Sequence, residues 1–168
     1  MVEGNEMRAP TDIENAMRSY GDAVWRACLV YLAPSDAEDV FQDVFLKYAL
    51  HDDAFNDGRH AKAWLLRVAI NASKDVLKSA RRRTASLDEL SDEGAFEPED
   101  PHANHTELCE ILDALDSLGD PPKTQLYLAL HEGYTASEIS RMTDMPEGTV
   151  YSWISRGKKQ LREALTND

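Results

Sequence analysis

The stretch that decides the fold is TASEISRMTDMPEGTVYSWISRGKKQLR, residues 135–162. Thr135 and Glu138 have the spacing of a capping box, which predicts the start of a short helix. A tight turn follows at 143–145, and Pro146 suits the first turn of a second helix. That second helix turns hydroxyl, aromatic and basic side chains away from its apolar stripe: Thr149, Tyr151, Ser152, Ser155, Arg156 and Lys159. The layout is that of a DNA-reading helix-turn-helix, although a plain helical hairpin with a solvated face has the same spacing.

Upstream of this stretch, apolar residues keep a helical spacing over long segments. Thr11 with Glu14 and Ser35 with Glu38 have capping-box spacing, so we expect one helix to start at each pair. A third long helix is expected over residues 61–82. The chain is therefore predicted to be all-α.

Between residues 84 and 105 the apolar periodicity fails, and Glu, Asp and Pro dominate. Such a segment buries too little apolar surface to offset its chain entropy, so it is predicted to be a flexible acidic linker. After it, a helix capped by Gly119 precedes another that starts at 121–122. We expect two small helical domains, 1–83 and 106–168, with the second ending in the helix-turn-helix.

The charge of the chain is unevenly distributed. The net charge is −13, which taken alone argues against nucleic-acid binding. Residues 59–83, however, hold 8 bases and 1 acid, whereas residues 84–120 hold 12 acids and no base. Within the basic block, polar residues recur at steps of 4, 3, 4 and 3, opposite the apolar stripe: Arg67, Asn71, Lys74, Lys78 and Arg81. A basic helix face of this kind suits phosphate contact, although a solvated surface is the simpler alternative.

Several classes of protein are disfavoured. No catalytic triad order, phosphate-binding glycine loop or metalloprotease helix occurs, so we expect no enzyme, no cofactor and no small-molecule substrate. No apolar run is long enough to span a membrane, and we expect that the N-terminal residues 1–10, which carry acids and no apolar core, are not a signal peptide. Cys28 and Cys109 lie far apart, as in a reduced cytoplasmic protein. His102, His105 and Cys109 have spacing that a zinc site could use, but no fourth ligand is evident, and no metal is predicted.

Three motifs in the helix-turn-helix region resemble the promoter −35-binding domain of extracytoplasmic-function (ECF) sigma factors. They are Gly133-Tyr134-Thr135, Glu138-Ile139 and Pro146-Glu147-Gly148-Thr149-Val150. Tyr151 and Trp153 stand where the family usually has bases, so it stays open whether these two rings contact DNA or pack. The −35 preference is accordingly the part of the resemblance that departs most from the family pattern.

A glycine also interrupts the second helix of this motif. Gly157 is expected to weaken that helix by about 1 kcal/mol relative to alanine.

The basic helix resembles the −10-binding helix of the same family. The match runs through Ala63-Trp64-Leu65-Leu66-Arg67-Val68-Ala69 to Asn71. The resemblance implies that this helix and the loop before it melt the −10 element and hold an unpaired base. Phe55, Asn56 and His60 are candidates for that pocket, with Phe55 alternatively a core anchor.

The acidic helix before it is similar to the family segment that docks on the β′ clamp helices of RNA polymerase. The segment is Ala37–Lys47, and Asp39, Gln42 and Asp43 match its polar contact positions. An acidic face is complementary to a basic partner and favours encounter with it, although a plain solvated helix is the alternative.

The resemblance implies an RNA polymerase sigma factor that binds the polymerase core and recognises and melts promoter DNA. It also implies an anti-sigma partner. The alternatives are a stand-alone helix-turn-helix regulator, which binds operator DNA without polymerase, and an adaptor whose acidic surfaces bind a basic partner.

Overall fold

The structure is a computed structural model that describes residues 7–87, 113–120 and 122–166. All regular secondary structure in these residues is helical. The chain divides into two compact units, residues 1–98 and residues 99–168. The predicted all-α class with two helical domains is thus confirmed. None of the helices in the described ranges is both long and apolar enough to cross a bilayer.

The first unit contains three long helices that all pack on one another. They are α1 at Pro10–Leu29, α2 at Pro34–Leu50 and α3 at Gly58–Leu87. Their apolar stripes meet in a common core, where each large aliphatic side chain contributes about 1.5–3 kcal/mol by leaving water. The most deeply buried residues of this core are Val24, Ala27, Cys28, Ala37, Val44, Leu65, Leu66 and Ala69.

The first two helices begin differently from the prediction. Each starts at a proline, Pro10 or Pro34, and neither N-cap residue makes a side-chain cap hydrogen bond. The capping boxes expected at Thr11 and Ser35 were wrong, because both hydroxyls lie inside the first helical turn. Proline is well suited to this position, since its φ angle is helical and its missing N–H would have no partner there.

The third helix is longer than predicted at both ends. At its start, Asp57 Oδ1 accepts a hydrogen bond from the His60 backbone N–H at 2.8 Å. This bond caps the helix and lets it begin at Gly58 rather than Ala61. Near its end, Thr84 Oγ1 donates to the Ala80 carbonyl at 3.0 Å, and no proline or glycine follows before residue 88. The helix therefore continues past Arg82 to Leu87.

The second unit is built from shorter pieces. Residues 113–118 are helical, and α4 at Lys123–Leu126 runs directly into a π-helical turn at Tyr127–His131. After a loop come α5 at Ala136–Thr143 and α6 at Glu147–Thr166. Both α4 and α5 pack against α6. The last two helices therefore form the predicted helix-turn-helix.

The turns of the second unit follow the sequence closely. Gly119 ends the helix before it with a φ of +73°, as its predicted capping role requires. The predicted capping box of α5 is confirmed. Thr135 Oγ1 accepts from the Glu138 N–H at 3.2 Å, and the Thr135 N–H donates to Glu138 Oε2 at 2.8 Å. Asp144 then ends α5 in the left-handed conformation.

Gly157 has a packing role that its sequence context does not reveal. It is buried where α6 crosses α4. A Cβ atom at this position would lie 2.6 Å from Leu126 Cδ1 and 3.0 Å from Pro122 Cβ. Only glycine lets the two helices approach this closely, so the residue that weakens α6 locally also allows it to dock.

Candidate nucleic-acid interface

The predicted basic stripe lies on the outer face of α3. Four of its members are exposed and the fifth, Lys74, is half-buried with its Nζ 6.0 Å from the centre of the Tyr31 ring. The opposite face is the buried one, with Leu65, Leu66 and Ala69 fully covered. The stripe members, in order, are Arg67, Asn71, Lys74, Lys78 and Arg81. Between its first and last members α3 rises about 21 Å, at about 1.5 Å per residue.

An aromatic cluster lies at the corner between α2 and α3. The Phe55 ring is parallel to Tyr48 within 4° at a centroid distance of 5.9 Å. It also contacts His51 at 5.3 Å, Trp64 at 5.8 Å and His60 at 5.2 Å. Phe55 is half-buried among these rings, which agrees with its alternative role as an anchor. The other two pocket candidates, Asn56 and His60, are exposed beside it.

Backbone hydrogen bonds orient those two exposed residues. The Asn56 N–H donates to His60 Nδ1 at 3.1 Å, while the His60 N–H donates to Asp57. A neutral His60 ring in this arrangement carries its proton on Nε2. The loop thus holds the His60 imidazole through its Nδ1 atom, with the exposed Asn56 next to it in the hydrogen-bonded turn at the start of α3.

The acidic face of α2 is fully exposed. Asp39, Gln42 and Asp43 are exposed, whereas Val40 and Val44 on the other side are buried. The carboxylates and the amide are therefore free of the core and available to a partner.

The exposed face of α2 also contains two leucines that the sequence analysis did not single out. Leu46 is 57% exposed and Leu50 45% exposed. Counted from Asp39, they stand at i+7 and i+11, which places them on the same side of the helix as the acids. The spacing of seven and eleven residues from Asp39 is the sequence signal that could have found this combined acidic and apolar stripe. Exposed leucines next to carboxylates suit a protein partner better than solvent.

The polar face of α6 is open along its length. Thr149 is half-buried, and the other candidates are exposed, with Tyr151 exposed to 62%. On the inner face Val150 is fully buried and Ile154 is half-buried. The exposed candidates are Tyr151, Ser152, Ser155, Arg156 and Lys159.

Tyr151 and Trp153, the two aromatic residues of this helix that stand in place of bases, differ in their exposure. Trp153 is half-buried, and the Arg156 guanidinium carbon lies 5.6 Å from the centre of its ring. Tyr151 instead extends outward from its unit. Trp153 thus both packs and orients a neighbouring cation, a contact worth about 0.5–1 kcal/mol at an exposed site. Tyr151 remains available to a ligand.

Cys28 is the cysteine that the described part of the chain contains, and it lies outside the surfaces above. Cys28 is fully buried, and burial raises the pKa of its thiol to about 11, a rise that the Ser73 hydroxyl partly offsets. His102, His105 and Cys109 lie outside the described residues. Among the residues that are described, no group of His, Cys, Asp and Glu could hold a metal ion.

Comparison with known proteins identifies the family. The Sigma-70 region 2 model matches residues 16–83, and the Sigma-70, region 4 model matches residues 110–161. The ECF RNA polymerase sigma factor SigL of Mycobacterium tuberculosis is 30% identical over 146 residues, which are 84% of this chain and 82% of SigL. This chain belongs to the ECF sigma factors. The ECF RNA polymerase sigma-E factor of Escherichia coli is 29% identical over 148 residues, 82% of this chain and 75% of the relative.

A solved structure has the same fold as this chain. That structure contains the sigma factor RpoE from Bartonella quintana in complex with the anti-sigma factor NepR. The TM-score is 0.74 at 23% sequence identity, with 94% of this chain and 98% of that chain covered. The family predicted from the sequence is confirmed by the two family models and by the identity to SigL.

Family membership establishes what the protein does. ECF sigma factors direct transcription initiation, and they bind core RNA polymerase and promoter DNA without being enzymes. The stand-alone regulator considered as an alternative is thereby ruled out.

Proposed function

We propose that this ECF sigma factor divides promoter recognition among three helix faces. The exposed face of α2 docks on the β′ clamp helices of core polymerase. The basic stripe of α3, with the loop before it, opens and holds the −10 element, and α6 reads the −35 element. In this scheme residues 1–83 form the first functional domain, 84–105 the linker and 106–168 the second domain. The first four linker residues, 84–87, are the helical end of α3 rather than irregular chain.

Polymerase docking by α2 is supported by the nature of its exposed face. Asp39 and Asp43 supply negative charge and Gln42 supplies an amide, all unobstructed. Leu46 and Leu50 continue the same face with apolar surface. Complementary charge orients a basic partner and speeds the encounter. The two leucines, once covered by the partner, would then slow dissociation.

The observation that carries the −10 assignment is the concentration of charge on one outward stripe of α3. Of its five members four are bases, in a chain whose net charge is −13. A rise of about 21 Å lets the stripe follow several phosphates of one strand, spaced at about 3.4 Å in a duplex. Aromatic and imidazole rings stand at its N-terminal end, where an unstacked base needs a stacking surface.

The −35 assignment depends on the chemistry of the α6 face. Ser152 and Ser155 can exchange hydrogen bonds with base edges, and Arg156 is oriented by Trp153. Tyr151 adds an exposed ring of the kind that contacts a thymine methyl or a sugar. Lys159, farther along, suits a phosphate.

Regulation and location follow from the same family. The Bartonella relative was solved with an anti-sigma factor, and we propose that this chain is likewise held inactive by one. Its place of action would be the cytoplasm, where polymerase and promoter DNA meet.

The test uses promoter opening by the complete protein with sigma-free core polymerase. A promoter is first recovered with this holoenzyme from a library in which the −35 and −10 elements are randomised. The salt dependence of open-complex formation is then compared between Lys78→Ala and Arg83→Ala. Arg83 is the matched control, since it lies on the same helix about 140° around the axis from Lys78.

Each lost phosphate contact reduces the slope of log K against log salt by a known amount. Lys78→Ala should lower that slope by about 0.7 if the contacted strand is single, or about 0.9 if it is duplex. Arg83→Ala should leave it unchanged. Equal slopes for the two variants would refute the proposal that the stripe contacts promoter phosphates. Absence of promoter-dependent transcription by the wild type would refute the whole scheme.

A further inference from the structure

One residue outside the three faces holds the loop between α2 and α3. Arg8 lies two positions before α1, yet its contacts among the described residues are with residues 48–55, which are 40 or more positions away in the chain. Its backbone N–H donates to the Ala49 carbonyl at 2.8 Å. Its side chain donates from Nε to the Tyr48 carbonyl at 3.0 Å and from Nη2 to the Asp53 carbonyl at 2.6 Å.

Two of these three acceptors belong to the C-terminal end of α2. The last carbonyls of a helix have no partner within it and carry partial negative charge. Here the residue after the helix, His51, is extended, and its N–H donates to Tyr48 O at 3.2 Å. No glycine closes this end. Arg8 therefore acts as a C-cap supplied from another part of the chain, and hydrogen bonds with a charged donor are the stronger class.

The guanidinium also orders the aromatic cluster. Its central carbon lies 4.7 Å from the centre of the Tyr48 ring and 5.0 Å from the centre of the Phe55 ring. These are the two rings that stand parallel to each other. One cation thus binds the end of α2 and, through Asp53 O and Phe55, two separate points of the following loop.

The loop that Arg8 fixes is the one that leads into the stripe of α3. Asn56 and His60 stand exposed directly after Phe55. If Phe55 moved, the backbone of Asn56 and its hydrogen bond to His60 would move with it. The position of the exposed imidazole and of the Asn56 backbone is therefore coupled to Arg8, which lies outside the regions matched by the family models.

We propose that Arg8 is a positioning residue for −10 opening. It acts through Phe55 and Asp53, which keep the loop of residues 51–57 in the shape that receives the unpaired base. The inference rests on the proposed assignment of the −10 element to α3 and this loop.

The test measures opening separately from polymerase binding. Holoenzyme is assembled from core polymerase and full-length wild type, Arg8→Ala, Arg8→Lys or Arg18→Ala. Opening of the library-selected promoter is followed by the fluorescence of 2-aminopurine placed in the −10 element, and core affinity is measured by titration. Arg18 is the matched control, because it is an exposed arginine of α1 in the same unit.

With Arg8→Ala, the rate of promoter opening by the holoenzyme should fall on the order of tenfold, since a small misplacement of a binding group has effects of this size or larger. Its core affinity should stay within about twofold of the wild type, and Arg18→Ala should match the wild type in both. Arg8→Lys keeps the charge but lacks the planar fork that bonds two carbonyls while stacking on rings, so it should fall between.

Two outcomes would overturn the inference. One is an opening rate for Arg8→Ala equal to that of wild type. The other is a loss of opening no larger than the accompanying loss of core affinity or of folded protein measured by near-UV circular dichroism, which would make Arg8 merely structural. If Arg67→Ala/Lys78→Ala also opens the promoter as fast as wild type, the −10 assignment itself has failed, and that result is distinct from failure of Arg8 alone.

Discussion

The two units of this ECF sigma factor are stabilised in different ways. The first has helices of 20, 17 and 30 residues that share one apolar core. The second includes helices of only 4 and 8 residues beside the 20-residue α6. Short helices are marginal by themselves, because nucleation costs more than a few hydrogen bonds return. The second unit therefore depends on specific local contacts where the first depends on total buried area.

The contents of the two cores show the same difference. Among the described residues, the buried polar side chains are Ser73 in the first unit and three consecutive residues of α4 in the second, Lys123, Thr124 and Gln125. Lys123 pairs with Asp116, and Thr124 bonds to Asp120. Each of these bonds must be made, because a buried polar group left unpaired costs about 1–3 kcal/mol. We therefore expect single substitutions to be felt more strongly in the second unit.

The largest expected effect is at Gly157. Gly157→Ala gains about 1 kcal/mol of helix propensity but forces a Cβ into Leu126, and overpacking of this kind costs about 1–3 kcal/mol. We expect net destabilisation of the second unit by about 1 kcal/mol or somewhat more, measured by urea unfolding. Gly148→Ala on the same helix is the control, since nothing lies within 4 Å of its Cβ position, and it should be neutral or slightly stabilising.

The clash at Gly157 can be relieved from the other side. Leu126→Ala removes the two atoms that lie closest to the new Cβ and leaves only the 3.0 Å approach to Pro122 Cβ. Gly157→Ala should therefore cost less in that background, with a coupling energy of about 0.5 kcal/mol or more. If Gly157→Ala stabilises the protein, or if the two changes are additive, the close approach of α6 to α4 does not determine the stability of the second unit.

The next effect compares one helix start in each unit. Thr135→Ala removes the hydroxyl that caps α5 and should lower the free energy of unfolding by about 1 kcal/mol. Ser35→Ala also removes a hydroxyl near a helix start, but in α2 the N-cap residue is Ala33 and no side-chain cap bond exists. Its effect should stay within about 0.5 kcal/mol. Equal losses in the two variants would show that the units do not differ in their dependence on caps.

The smallest effect concerns the core of the first unit. Cys28 is fully buried and its pKa is raised from 9.0 to about 11, so the folded thiol stays protonated and unreactive at pH 8. In a Cys109→Ser background, iodoacetamide should label Cys28 only after unfolding in urea. Rapid labelling of the native protein at pH 8 would show that the core of the first unit opens locally, and that its buried area does not stabilise all of its parts equally.

The raised pKa also predicts the direction of a pH dependence. The unfolded thiol loses its proton above about pH 9, while the folded one retains it until about pH 11. The contribution of Cys28 to stability is therefore complete below pH 9 and is lost as the pH rises toward 11. The stability difference between wild type and Cys28→Ala should shrink over that interval.

Much of this protein was predictable from its sequence, because helices are local structures. The steps of 4, 3, 4 and 3 from Arg67 to Arg81 determine one exposed face, whatever the helix packs against. Thr135 and Glu138 determine a helix start for the same reason, since the partners in a capping box are three residues apart. The family resemblance, the all-α class and the two-unit organisation all follow from such short-range patterns.

Tertiary structure decided what depends on residues far apart in the chain. Arg8 meets the end of α2 40 residues later and the following loop 45 residues later, and no local pattern encodes either contact. Gly157 is unfavourable for a helix by its own propensity, and only the position of Leu126 against it shows why a side chain does not fit. Periodicity determines which face of a helix is buried, whereas the partner that covers it and the space between them are set when the helices pack.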